Sequence, residues 1–573
     1  MIEQRLSQVV TQAFAACQEA GEIPRTVVCP PIHLERPRQS AHGDLATNIA
    51  LVIAKAAKRS PRAIAEALVA RMPSDPHLQG VSVAGPGFIN FDLIPTWFVE
   101  QLTEIIAADQ RYGCTNIHQG ERCQVEFVSA NPTGPLHVGH GRNAILGDVL
   151  GNLLAAVGYQ VTKEYYVNDT GVQIETLGRS VLCRLRELQG EKAAFPAECY
   201  QGSYIIDIAQ QLQGDGTAVA WQTLDERAQS LACGRYAADR ILRGITDDLA
   251  ACGVVHDRYF LESALHVEGA IPVVIEQLRH AGHLYEQDDA LWFRSTAFGD
   301  DKDRVIRKSD GSLTYFAADI AYHARKYVEG FSRVVDVLGA DHAGYVPRMK
   351  AVVAALGHDA GSLDYVLTQL VNLTRGGEVV SMSTRRGEYE TLARLIAEVG
   401  RDVTRYFYLM RSHTAQLDFD LALATAQTLE NPVYYVQYAH ARICSIFAKA
   451  EATGAGWRQR DPLEASQLDL EEERALARLV GEYPGLIRAI AEELAPHRLT
   501  VYLLEVARTF QSYYTRGKQD PRYRVLGQAL PKMQAKLSLL HCLRIVIRNG
   551  LGLLGISAPE RMNRIEGDAA HHD

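Results

Sequence analysis

The sequence predicts an α/β protein in which a doubly wound, Rossmann-type domain with helical insertions lies between a small N-terminal α/β domain and a C-terminal all-α bundle. Three observations lead there. From Arg122 onward, strand-like and helix-like stretches alternate in the order that builds a doubly wound parallel sheet. The chain before Tyr112 carries its own short α/β pattern, and beyond Asp418 the periodicity is helical almost to the end. At 573 residues the chain also exceeds what one core organises, and length alone suggests about three or four domains.

Residues 1–112 open with an amphipathic helix. The Pro-rich stretch Val27–Pro37, His42-Gly-Asp and an Ala-rich helix to about Arg71 follow. Val81–Leu93 then alternates like a strand pair broken at Gly85-Pro-Gly. Lys55, Lys58, Arg59 and Arg62 give this unit a modest basic face, and Gly and polar residues at Tyr112–Gly120 mark its boundary.

The Rossmann-type domain is expected over 120–415. Its first strand, Cys123–Val128, ends in a turn-rich segment, and the next helix carries Leu146, Val149, Leu150, Leu153, Leu154 and Val157 on one apolar face. Val161–Val167 reads as a strand and Gly171–Leu188 as a helix. A mainly helical insertion over about 190–285 interrupts the alternation, which resumes with strand Arg333–Gly339, helix Tyr345–Leu356 and strand Leu363–Asn372. Residues 416–573 are expected to form the helical domain, with Asn431 as an N-cap and Pro432 at a first helical position.

Composition narrows the function. With 47% hydrophobic and 22% charged residues, disorder and collagen-like repeats are excluded. No apolar run approaches the roughly 18–20 residues that span a bilayer, and the start lacks a signal-type stretch, so a cytoplasmic protein without membrane contact is expected. The ten cysteines are scattered and none has C-x-x-C spacing, which argues against a disulfide framework, and neither zinc nor any other protein-bound metal is expected.

The net charge of −9 speaks against a uniformly basic nucleic-acid binder. Between Gly485 and Ile565, however, 13 Lys and Arg face five Asp and Glu, a local excess of eight positive charges, with Tyr513, Tyr514 and Tyr523 interleaved. That mixture suits a phosphate backbone and unstacked bases, although a charge run by itself is more often a solvated helix face.

The sharpest local signal is His137-Val-Gly-His140 where the first strand turns into the first helix. A helix start offers unpaired N–H groups and partial positive charge, so phosphate is stabilised there, and two imidazoles three residues apart can donate to its oxygens. Gly139 would leave room for a flat adenine. Four letters match often by chance, and the strand–turn–helix setting is what favours the phosphate reading. G-x-G-x-x-G is absent from this turn and no P-loop is present. A second polar, basic loop about 240 residues later contains Met382, Ser383, Arg385 and Arg386, whose arginines are suited to a leaving pyrophosphate.

Together these elements resemble the class I aminoacyl-tRNA synthetases, whose HIGH and KMSKS motifs hold these two positions. Glu126–Arg142, Glu164–Gln173, Met382–Leu392, Asn431–Arg442 and Leu551–Met562 are similar, more narrowly, to arginyl-tRNA synthetases of the bacterial type, over nearly the whole chain. The HIGH-type motif then comprises Ala130, Asn131, Pro132, Thr133, Gly134, Pro135, Leu136, His137, Val138, Gly139 and His140. The resemblance implies ATP, entering with Mg2+, against Pro135, His137, Gly139, His140, Met382, Ser383 and Arg385, with His137, His140 and Arg385 catalytic. It implies L-arginine against Glu126, Ser129, Asn131, Tyr315, Asp319 and Asp341. Asp319 and Tyr315 would take the guanidinium, which presents five donors in a plane, Glu126, Ser129 and Asn131 mainly the amino-acid end, and Asp341 would contact the adenosine or the arginine. Asn168, Asp169 and Gln173 would be wall residues.

The leading unit would touch the corner of tRNA(Arg). The basic tail, through Arg516, Lys518, Arg522 and Arg524, would bind the same tRNA, and a monomer is expected. One departure stands out: Ser381-Met-Ser-Thr-Arg385 lacks both lysines of the general second motif. A smaller nucleotidyltransferase would not need the basic tail, and a silent RNA-binding paralogue would not need the intact histidine turn.

Overall fold

In the computed structural model the chain divides into two compact units. One comprises Met1–Tyr112, Ala439–Gly485 and Val506–Asn549, the other Gly113–Tyr438, Leu486–Glu505 and Gly550–Asp573. The residues described are 2–35, 37, 42–191, 195–221, 223–379, 390–454, 456–457 and 465–562.

In the first unit, strands β1 (Leu34–Glu35), β2 (Leu45–Thr47), β3 (Leu78–Ala84) and β4 (Phe88–Leu93) form an antiparallel sheet in the order β1-β2-β4-β3. The expected strand pair over Val81–Leu93 is β3 and β4, with β3 beginning three residues earlier. Leu6, Val10, Phe14, Ile53, Ile64 and Leu68 pack with Phe91 into a core, because the apolar stripes of three short helices can be buried only against this sheet.

The second unit holds the parallel sheet. Strands β5 (Arg122–Glu126), β6 (Gln160–Val167) and β7 (Arg258–Leu261) are followed by a separate antiparallel sheet of β8 (Leu284–Gln287), β9 (Ala290–Phe293) and β10 (Arg304–Arg307). Strands β11 (Arg333–Gly339) and β12 (Leu363–Thr368) complete the order β12-β11-β5-β6-β7, with every pairing parallel. A third small sheet contains β13 (Val371–Arg375), β14 (Glu378–Val379) and β15 (Leu417–Asp420). The single strand expected over Leu363–Asn372 is therefore two strands in different sheets.

Within the stretch expected to be a helical insertion, helices Ser203–Gly214 and Glu226–Ala251 are present, but Arg258–Leu261 is the edge strand β7 of the main sheet. Four residues are too few to show a period of two against helical flanks. The Glu226–Ala251 helix lies close against the Gly171–Leu188 helix: a β-carbon on Gly178 would come 1.8 Å from the Ser230 carbonyl oxygen.

The helix Val138–Ala156, here the signature helix, is buried on nearly all sides from Val138 to Leu154, not on one face as expected. A helix so enclosed must satisfy its own polar side chains. Arg142 donates to the carbonyls of Gln369 (2.9 Å), Ala415 (2.9 Å) and Ser412 (2.8 Å). Asp148 accepts from Lys163 (2.6 Å) and from the fully buried Arg405, which also donates to the carbonyls of Leu554 (2.7 Å) and Cys252 (2.9 Å).

Candidate active site

The loop between β5 and the signature helix starts with two residues in left-handed backbone, Val128 (φ 67°) and Ser129 (φ 39°). For non-glycine residues this costs about 1–3 kcal/mol each and persists only when the surroundings over-determine it. They do so here. Asn143 Oδ1 accepts from the Val128 N–H (2.6 Å) while its Nδ2 donates to the Val337 carbonyl (2.8 Å). Ser129 Oγ donates to Glu126 Oε1 (3.0 Å) and accepts from the Tyr166 N–H (3.0 Å). The Tyr165 hydroxyl donates to the Ala130 carbonyl (2.7 Å), and that of Tyr204, from the inserted segment, to the Thr133 carbonyl (2.6 Å).

The loop delivers two histidines in a reciprocal cap. His137 is the N-cap of the signature helix, and its Nδ1 accepts from the N–H of Gly139 (3.1 Å) and His140 (3.4 Å). His140 Nδ1 accepts in return from the His137 N–H (3.3 Å). The rings stack with centroids 3.7 Å apart. A neutral imidazole that accepts at Nδ1 carries its hydrogen on Nε2, so the cap fixes both rings as neutral Nε2–H donors. Burial lowers both pKa values, that of His140 to about 3, with the neighbouring His137 adding to the shift. Gly139 is required by this packing: its β-carbon would lie 2.9 Å from His137 Cε1. The glycine expected to make room for adenine thus makes room first for an imidazole.

Residues 380–389, including Met382, Ser383, Arg385 and Arg386, lie outside the described residues. The chain immediately after them is bonded to the turn. The Val138 N–H donates to the Glu390 carbonyl (3.3 Å), the Leu392 N–H to the Leu136 carbonyl (2.9 Å), and His137 bridges Thr391. Tyr408 closes the contact through its hydroxyl on the Val138 carbonyl (2.7 Å).

Carboxylates gather near the C-terminal end of β5. Glu126, 8% exposed, ends that strand. Tyr315 and Asp319 occupy the first turns of the helix Tyr315–Val328, and Asp319 accepts from the Tyr345 hydroxyl. Burial, with the Glu262 and Glu126 carboxylates nearby, raises the Asp319 pKa despite the Tyr345 hydroxyl. Glu262, which follows β7, accepts from the hydroxyls of Tyr166 (2.9 Å) and Thr170 (3.2 Å). Among the described residues no lysine or arginine forms an ion pair with Asp319 or Glu262. Two carboxylates held by phenols and hydroxyls, with no lysine or arginine paired to either among the described residues, form a group suited to a planar cation.

Not every expected residue joins this group. Tyr315 is 65% exposed. Asn131 is exposed on the strained loop, and Gln173 is exposed on its helix. Asp341 faces solvent in the segment after β11, paired only with its neighbour His342 (3.6 Å). Asp169 is spent on the N–H (2.9 Å) and hydroxyl (2.6 Å) of Ser263. Sequence reasoning missed Glu262, Tyr166 and Tyr345. Their signal was positional, since each follows or ends a strand of the parallel sheet on its ligand-binding edge.

In the basic tail, Arg516, Lys518, Arg522 and Arg524 are exposed, and two of them already have carboxylate partners: Glu472 for Arg516, and Asp520 for Arg522 (2.7 Å). Tyr513 is buried with its hydroxyl on Glu473 (3.0 Å), and Lys536 is 1% exposed on the same carboxylate (3.1 Å). These two belong to the core and are not available to RNA. No helix among the described residues is long and apolar enough to cross a membrane, and none of the described His, Cys, Asp or Glu side chains cluster to hold a metal ion.

Comparison with known proteins gives three family matches along the chain: the arginyl tRNA synthetase N terminal domain over residues 2–93, the catalytic domain of tRNA synthetases class I (R) over 101–205 and 254–414, and the DALR anticodon binding domain over 436–562. An arginine–tRNA ligase of Syntrophotalea carbinolica is 47% identical over 98% of this chain and 100% of its own length. One from Legionella pneumophila is 43% identical over 97% and 99%. The fold is also that of the solved Thermus thermophilus arginyl-tRNA synthetase, with a TM-score of 0.79 at 23% identity over 98% of this chain and all of that one. With a histidine-capped turn, a carboxylate pocket and relatives matched end to end, the chain belongs to the arginyl-tRNA synthetase family, the arginine–tRNA ligases of class I.

Proposed function

We propose that this protein activates L-arginine with ATP at the β5 turn and transfers it to tRNA(Arg). One observation carries the reading: two neutral Nε2–H donors at a helix start stand at the same sheet edge as the Asp319 and Glu262 carboxylates, which among the described residues have no lysine or arginine partner. Asp319 and Glu262 take the guanidinium, with the Tyr315 phenol at the rim. Glu126, Ser129 and Asn131 take the amino-acid end. The arginine carboxylate then attacks the α-phosphorus of ATP, whose phosphates lie against the signature-helix N-terminus near Pro135, His137, Gly139 and His140. The Nε2–H groups donate to the oxygens on which charge builds, and the loop with Met382, Ser383 and Arg385 faces the leaving pyrophosphate. Magnesium enters with the nucleotide and screens its phosphates. The terminal ribose of tRNA finally attacks the adenylate carbonyl.

The tRNA contacts of the exposed tail arginines and of the N-terminal unit, a monomeric state and a cytoplasmic location complete the proposal, as do domain limits near 1–112, 120–415 and 416–573. ATP–pyrophosphate exchange with arginine, run with and without tRNA(Arg), tests it. Exchange that appears only when tRNA(Arg) is present is the expected result. Exchange with a different acceptor, or none under either condition, would refute the reading.

A further inference from the structure

One row of register partners crosses the middle of the main sheet: Tyr365, Asp336, Glu126, Glu164 and Arg258, one residue from each strand. Three neighbouring carboxylates therefore stand side by side, on strands roughly 4.8 Å apart. Each is buried, with Asp336 3%, Glu126 8% and Glu164 0% exposed. Like charges directly opposed in a sheet repel, and buried ones survive only with counter-charges.

The counter-charges are divided unevenly. Glu164 is served by Arg258, by the Tyr322 hydroxyl (2.5 Å) and by Gln124 Nε2 (2.9 Å). Asp336 and Glu126 share one ammonium. Lys326, 1% exposed, donates to Glu126 Oε2 (2.7 Å) and Asp336 Oδ1 (2.9 Å), with its Nζ 4.4 Å from the Tyr322 ring centroid. His323 Nε2 lies 3.0 Å from the other Asp336 oxygen. Burial works against the Lys326 charge, but Asp336 and Glu126 outweigh it and hold the ammonium above its ordinary range. With Oε2 held by Lys326 and Oε1 held by Ser129, Glu126 has one orientation, and a tenth of its side chain remains open.

We infer that Lys326 is a positioning residue: bonded to both Glu126 and Asp336, it fixes the Glu126 carboxylate in one orientation and presents its Oε1 edge to the α-ammonium of bound arginine. The inference rests on the reading above that Glu126 takes the amino-acid end. The groups facing Glu126 are Lys326, Tyr322 and Asp319 of the Tyr315–Val328 helix, Asp336 on β11, Glu164 and Tyr166 on β6, Tyr365 on β12, and Ser129 in the turn. Lys326 is the cation bonded to Glu126. Without it, Glu126 stands between the Asp336 and Glu164 carboxylates with no ammonium to hold its orientation.

The test is tRNA-dependent pyrophosphate exchange on full-length protein, reading the KM values for arginine and ATP separately. Lys326→Met is expected to raise the arginine KM about tenfold or more, with the ATP KM within about twofold. Lys326→Arg is expected to restore the arginine KM. If Lys326→Met does not fold, the charge-balanced pair Lys326→Met with Asp336→Asn removes one cation and one anion and should show the same selective rise. An arginine KM unchanged in whichever variant folds, or one that rises together with the ATP KM, would overturn the role. Glu126→Gln is the control for the site itself. If it leaves the arginine KM unchanged, the assignment of Glu126 fails. If it raises the KM while the Lys326 variants behave as the wild type, the Lys326 role alone fails.

Discussion

Replacing His140 by alanine is expected to slow arginine-dependent pyrophosphate exchange by about 10²–10³-fold, the loss typical of one preorganised donor to a developing oxyanion. The geometry makes that donor specific. Nδ1 of His140 is committed to the His137 N–H, so the ring can offer only Nε2–H to a ligand. Burial and the neighbouring ring lower its pKa to about 3, and burial also lowers that of His137. The sign follows: a histidine with a depressed pKa gains its proton only at strongly acid pH, so the donating tautomer persists through neutrality. The exchange rate of the wild type should therefore show no acid limb from His140 between about pH 6 and 8. Loss of the cap bond also costs the helix start about 1 kcal/mol, which thermal melting reads independently of turnover. tRNA affinity should stay near the wild-type value. Near-normal exchange in the variant would reduce His140 to a cap.

Asp319→Asn is expected to raise the arginine KM by about 10²-fold or more while leaving the ATP KM within about threefold. Asp319 is held by the Tyr345 hydroxyl, and its pocket partner Glu262 by Tyr166 and Thr170. Among the described residues neither has a lysine or arginine partner, so a guanidinium entering this pocket would meet charge that the protein has not neutralised. The amide keeps the shape and removes the charge. Discrimination between arginine and uncharged, nearly isosteric citrulline should collapse in parallel, because a site built around a buried charge rejects a ligand that leaves it unpaired. Both ratios are read from steady-state exchange. If the variant kept the arginine KM and the discrimination of the wild type, the guanidinium would lie elsewhere.

The parts of this site that were legible in the sequence are the local ones. His137 and His140 lie three residues apart on one turn, where the strand–turn–helix setting marked them, and Asp319 lies on the same helix as Tyr315, although the Tyr315 side chain is exposed. Strand, turn and helix around the signature were legible for the same reason, since polar turn residues separate two hydrophobic patterns. What remained hidden depends on sheet order. Nothing near Glu262 in sequence marks it as a neighbour of Asp319; only β7 joining the edge of the parallel sheet brings it there, and a four-residue strand leaves almost no periodic trace. Nothing in the sequence singles out Lys326; its role follows only from β5 and β11 setting Glu126 beside Asp336. Conversely, Asp341 occupies the right edge of the sheet but its side chain faces solvent, because position on an edge does not fix the direction of a side chain on a short irregular turn. In the tail, Tyr513 and Lys536 fitted a pattern of basic and aromatic residues, yet the same pattern arises when a buried glutamate, Glu473, recruits both.

A crystal structure with a non-hydrolysable ATP analogue and arginine bears most directly on the imidazole pair. The expected result is an α-phosphate oxygen within hydrogen-bond distance of Nε2 of His140 or His137, beside an amino acid whose guanidinium meets Asp319. A triphosphate ordered elsewhere, with both rings left to their capping bonds alone, would contradict it.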